Sequence, residues 1–88
     1  MSMKLVITWL EIIRRERGWS QKTLSLRCTP ILHQGTISLM ERGGRVTPLT
    51  QHSVAKALGW AGEDAILTKQ WDGTDVTQWM EPIDDADY

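Results

Sequence analysis

Signals that start and stop a helix recur at short intervals through this 88-residue chain, and they constrain its fold more than any other feature. Thr8-Trp9-Leu10-Glu11 is a capping box, in which the Thr hydroxyl and the Glu carboxylate each satisfy a free backbone N–H. Gly18 stops the helix it starts. Ser20 is a second N-cap, with Trp19 before it placed to staple onto Thr23 or Leu24. Thr29-Pro30 breaks that helix near Arg27 or Cys28, because proline disfavours helix in the residue before it. A third helix is predicted over 34–42, ended by Gly43-Gly44. Thr47-Pro48 opens a fourth, with a Thr cap and proline in the first turn, and Gly59 closes it.

The apolar residues agree with that punctuation. Trp9, Leu10, Ile12 and Ile13 make one face of the first helix, and Val54, Ala55 and Leu58 one face of the fourth. A fifth helix is predicted over 62–70, with Ala65, Ile66 and Leu67 inward. Asp72-Gly73 reads as a turn. A last short helix is predicted over 75–81, apolar at Val76, Trp79 and Met80 and stopped before Pro82. Residues 3–7 extend the first helix backwards or form a short strand. No segment is β-rich, so the fold class is all-α.

The length allows one domain with one modest core. The apolar fraction, 41%, is that of a folded chain and not of a disordered one. One cysteine, Cys28, excludes an internal disulfide and fits a reducing compartment, so a cytoplasmic location is expected. The apolar run Leu5–Leu10 meets Glu11 and Arg14-Arg15 too soon for a signal peptide, and no run approaches a membrane span.

Net charge is −1, but it is unevenly placed. Residues 1–71 hold all ten Lys and Arg against five acids, a net +5; residues 72–88 hold six acids and no base. The chain therefore divides into a basic body, 1–71, suited to phosphate contact, and a short acidic C-terminal extension, 72–88. The catalytic inventory is thin. Cys28, His33 and His52 match no zinc spacing, and no phosphate-cradling glycine loop is present. No enzyme activity, metal or cofactor is expected.

Ser20-Gln21-Lys22-Thr23-Leu24, followed by Gly35-Thr36-Ile37-Ser38-Leu39-Met40-Glu41-Arg42-Gly43, has the layout of a helix-turn-helix reader, whose second helix enters the major groove. Leu10, Ile13, Arg14, Arg17-Gly18, Ser20-Gln21, Leu24, Thr36-Ile37-Ser38, Glu41-Arg42-Gly43 and Ala55-Lys56-Ala57-Leu58-Gly59 stand in the family's order. On these residues the segment 10–67 resembles the lambda-repressor-like, Cro/C1 or xenobiotic-response-element type of domain, a compact five-helix fold. Two departures stand out. The chain is about two residues longer between Leu24 and Ile37, where Thr29-Pro30-Ile31-Leu32-His33 replaces a short glycine-containing turn. It is about two shorter between Gly43 and Ala55.

The resemblance implies a sequence-specific DNA-binding regulator, a bacterial or phage repressor acting on double-stranded DNA as a homodimer. It assigns Gln21 to phosphate and makes Arg14 and Glu41 an internal ion pair. The residues themselves add detail. Gln34, in the first turn of the reading helix, suits bidentate recognition of adenine. Gly35 costs about 0.8–1.0 kcal/mol in a helix relative to alanine, offset either by close approach to DNA or by relief of crowding beside the long turn. Thr36 and Ser38 reach phosphate or base edges. Leu39 touches either a thymine methyl or the turn between the second and third helices. Arg42 and Arg45 clamp the backbone. Ile66, Trp71, Trp79 and Met80 form the expected dimer interface, too much apolar surface for so small a domain to bury. The alternative reading is an antitoxin or adaptor whose acidic tail binds a protein partner.

Overall fold

The structure, a computed structural model, describes residues 7–83. Four α-helices run in order: α1 (Trp9–Arg17), α2 (Gln21–Arg27), α3 (Gln34–Glu41) and α4 (Pro48–Leu58). Each begins where a side chain takes a free amide. The Thr8, Ser20 and Thr47 hydroxyls accept from the N–H groups of Glu11, Thr23 and Thr50. Gly18 and Gly59 close α1 and α4 in the left-handed conformation, with φ of 76° and 68°. A Cβ is strained there, so glycine is the residue that permits both stops.

Leu10, Ile13, Leu24, Ile37, Met40, Val54, Leu58 and Leu67 are fully buried and come from every α-helix. Thr8 is buried as well, and its hydroxyl donates to the Glu41 carbonyl at 3.2 Å, tying the start of α1 to the end of α3.

The predicted fifth helix over 62–70 is instead a 3₁₀ turn, Asp64–Thr68. Its first residue has no side-chain cap, and its far end is drawn into extended pairing: Trp9 N–H donates to the Lys69 carbonyl, and Trp71 N–H to that of Ile7. The predicted helix over 75–81 is likewise a 3₁₀ turn, Val76–Trp79. Extended pairing stops it too, since Ala61 N–H donates to the Trp79 carbonyl and Glu81 N–H to that of Gly59, each at 2.8 Å. Among the described residues the regular elements are all helical, with two isolated β-bridges, Thr8–Gln70 and Trp60–Met80. No described helix is long and apolar enough to cross a membrane.

The first part of the acidic extension lies on the same core. Val76 is buried, Trp71 and Met80 pack against the core, and Arg17 of α1 donates to the Leu58 and Glu81 carbonyls. Two successive Asp-x-Thr turns shape this stretch, because Asp72 and Asp75 each accept from the backbone and hydroxyl of the Thr two residues on. Those bonds, the hydroxyls first, hold both carboxyls below the ordinary Asp range. Most of the expectation for residues 3–7, and the end of the tail beyond residue 83, lie outside the described residues.

Candidate nucleic-acid interface

α3 has two unlike faces. Ile37, Met40 and Glu41 are buried against the rest of the fold, while Gln34, Gly35 and Leu39 are exposed and Thr36 and Ser38 half-exposed. Arg42, the C-cap, reaches back along the outer face and donates to the Ser38 hydroxyl at 3.1 Å. Arg45 is exposed in the turn that follows. The structure thus gathers Gln34, Gly35, Thr36, Ser38, Arg42 and Arg45 on one helix and its exit.

Two of the expected readers also make close approaches within the fold. Leu39 lies over Gly44: a Cβ on that glycine would come within 2.3 Å of Leu39 Cδ1. This places Leu39 against the turn leaving α3. Gly35 makes room for His33. A Cβ there would stand 3.0 Å from the His33 Nδ1, a tight contact that the glycine relieves.

The turn between α2 and α3 is anchored at both ends. Cys28 is buried, Leu32 packs on the core, and Leu32 N–H donates to the Ser25 carbonyl at 3.1 Å. Thr29, Pro30 and Ile31 are exposed between those anchors, with a cis Thr29–Pro30 bond. No compared family model, curated protein or solved structure matches the chain.

The orientation of α3 is set by a polar cluster beneath it. The Arg14 Nη2 donates to Glu41 Oε1 at 3.0 Å, its Nε to Oε2, and its Nη1 to the Trp19 carbonyl at 2.8 Å. The hydrogen bond to Glu41 raises the Arg14 pKa, against partial burial that lowers it. Gln21 completes the cluster, with Nε2 donating to Glu41 Oε1 at 3.0 Å. One of the two amide protons expected to meet phosphate is thus committed to joining α2 to α3. A bidentate arginine–carboxylate pair with a third donor is a strong, directional lock.

Elsewhere the reactive groups are quiet. Cys28 donates to the Leu24 carbonyl, and burial pushes its thiol up to about 11. Only about one thiol in a thousand is then ionised at pH 8, and the thiolate is the reacting form. In the folded chain Cys28 is expected to react with an aromatic disulfide reagent no faster than the protein unfolds. Immediate labelling without denaturant would contradict that burial. His52 Nδ1 stands 2.9 Å from Asp64 Oδ2, but no hydrogen bond joins the ring to Ser53 or to any other hydroxyl or thiol among the described residues. No group of three or more metal-ligating side chains occurs there either.

Of the residues expected at a dimer interface, Ile66, Trp71 and Met80 pack on the chain's own core. The Trp71 indole N–H donates to the Thr74 carbonyl at 2.7 Å. The expected apolar patch contracts to Trp79, 40% exposed, beside a groove of roughly 230 Å³ lined by Trp9, Trp60, Gly62, Glu63 and Ile66.

Proposed function

We propose that the chain is a sequence-specific DNA-binding regulator of the lambda-repressor-like helix-turn-helix type, with α2 and α3 as its two motif helices and the 3₁₀ turn Asp64–Thr68 in place of a fifth α-helix. The observation that carries the reading is the outer face of α3. It presents Gln34, Thr36 and Ser38, with Arg42 and Arg45 at its exit, while its inner face is locked to α1 and α2 through the Arg14–Glu41–Gln21 cluster. A short helix with polar side chains on its outer side, tied down on its back and followed by cations at its exit, suits the major groove. The excess of base over acid in residues 1–71 supplies the phosphate attraction. Repression in a bacterial or phage cytoplasm, on paired half-sites read by a homodimer, completes the proposal. Of the residues expected at the dimer interface, Trp79 beside its groove is the one exposed to a second copy.

The adaptor reading draws on the same surface, because an exposed Trp beside an apolar groove also suits a protein partner. DNA binding separates the two. Duplexes enriched by the wild-type chain from a random-sequence pool should yield one consensus. Gln34→Ala is expected to weaken binding by about 1–3 kcal/mol and relax preference at one adenine. Arg45→Ala should weaken all sequences alike and lower the salt slope by about one. A chain that enriches no sequence would leave the adaptor reading standing; a Gln34→Ala variant with unchanged affinity and preference would mean that the recognition-helix assignment is wrong.

A further inference from the structure

A second groove, of about 490 Å³, opens between the end of α2 and α4. Small-molecule sites commonly have volumes of about 300–1,000 Å³. Arg27, the last residue of α2, and Thr29 line one side, and Leu49, His52, Ser53 and Lys56 of α4 line the other. Leu49, Ser53 and Lys56 are spaced four and three residues apart, so α4 carries them on one face. Three of the lining side chains are basic and none is a carboxylate. Asp64 meets the His52 Nδ1 at 2.9 Å but does not itself line the groove. The Arg27 guanidinium lies 4.1 Å from the centre of the Trp19 ring, a stack that orients its plane. The Lys56 ammonium and the Thr29 and Ser53 hydroxyls have no hydrogen-bond partner among the described residues. Leu49 is 76% exposed and adds apolar surface at the same place.

We infer that this groove binds a small phosphomonoester. The Arg27 fork and the Lys56 ammonium meet the phosphoryl oxygens, the Thr29 and Ser53 hydroxyls donate to them, and Leu49 packs on the organic group. Two permanent cations suit a phosphomonoester, which carries about −1.5 to −2 charges at pH 7, better than a carboxylate, which brings one. The groove shares no residue with the outer face of α3 or its exit, so the inference stands apart from the proposed function.

The probes are phenyl phosphate, inorganic phosphate and benzoate, titrated into the full chain at constant ionic strength and followed by amide NMR shifts. Phenyl phosphate should give saturable shifts confined to residues 27–29 and 49–57. It should bind more tightly than inorganic phosphate, which has no organic group, and than benzoate, which has one charge. Lys56→Gln should weaken it about tenfold or more, the range for a charge-assisted hydrogen bond. Leu49→Ser should remove its advantage over inorganic phosphate. Both positions are exposed, so both variants should melt near wild type. Shifts that do not saturate, or that spread equally to Arg42 and Arg45, overturn the inference. So does unchanged affinity in Lys56→Gln, or benzoate binding as tightly as phenyl phosphate. A mixed-sequence duplex that displaces phenyl phosphate and itself loses affinity in Lys56→Gln would make the groove a backbone contact, and that result also overturns it. A chain that binds phenyl phosphate in the groove but enriches no duplex removes the proposed function and leaves this inference intact.

Discussion

Glu41→Ala is expected to destabilise the fold by about 3–5 kcal/mol, the range for breaking one side of a buried ion pair. In a chain of this size, even about 3 kcal/mol corresponds to a fall of about 12 °C or more in melting temperature. The side chains of Arg14 and Glu41 are 13% and 5% exposed, so water can do little to replace the carboxylate. Its loss strands the Arg14 Nε and Nη2 and the Gln21 Nε2 together, and with them the ties from α3 to α1 and α2. Glu41→Gln, which keeps one acceptor, should cost less. Lys56→Ala, an exposed change, should stay within about 0.5 kcal/mol. Thermal unfolding followed by circular dichroism gives the comparison. Equal shifts for Glu41→Ala and Lys56→Ala would mean that the cluster does not hold α3 in place.

The same cluster shows what the sequence could and could not reveal. Caps and stops are local chemistry, so Thr8, Ser20, Thr47, Gly18 and Gly59 can be read directly, and they place both ends of α1 and α4 and the start of α2. Arg14 and Glu41 are 27 residues apart, and only the family pattern joined them. The resemblance assigns Gln21 to phosphate and pairs Glu41 with Arg14 alone, so the Gln21–Glu41 hydrogen bond is not part of it. The signal was available in the pairing of an amide donor with a carboxylate that has a spare lone pair. His33, whose Nδ1 caps α3 by accepting the Gly35 N–H, was missed for a different reason. Histidine is a minor N-cap residue, and nothing in a linear sequence shows that the following glycine makes room for a ring.

Where local preference met tertiary pairing, pairing won. Residues 62–70 and 75–81 have helical apolar spacing, and each begins a helical turn. Each is then pulled into extended backbone contact, the first with Ile7–Trp9 and the second with Gly59–Ala61. A segment of one or two turns has little cooperative stability of its own, so a few backbone bonds to a fixed neighbour decide its fate. The same contacts bring the tryptophans home. Trp9 and Trp60 are buried and Trp19 and Trp71 half-buried, so the surplus of apolar surface expected from five tryptophans shrinks to Trp79.

Trp60 is the residue on which that closing of the chain depends. It is 7% exposed, with its ring centroid 5.9 Å from that of Trp9 and 6.1 Å from that of Trp79. Tilted and edge-on pairs at this separation add about 0.5–1.5 kcal/mol each beyond the area they bury. The Trp60 indole N–H also donates to the Glu63 carbonyl at 3.2 Å, and its backbone bridges to Met80. Trp60→Ala should therefore cost about 3–5 kcal/mol, as for other large core aromatics. Trp79→Ala removes one aromatic pair from a ring already 40% exposed and should cost clearly less. The two differ in reach as well. Without Trp60 the stretch 71–83 loses its seat, so the Ala61 and Glu81 amides, which donate to the Trp79 and Gly59 carbonyls, should exchange with solvent far faster. Amides within α3 should keep their protection relative to the new global stability, because the Arg14–Glu41–Gln21 cluster holds that helix from the other side. Denaturant unfolding and hydrogen exchange on Trp60→Ala and Trp79→Ala read both effects. If Trp60→Ala cost no more than Trp79→Ala, or if the Ala61 and Glu81 amides lost no more protection than those of α3, the acidic extension would be anchored by contacts other than these rings.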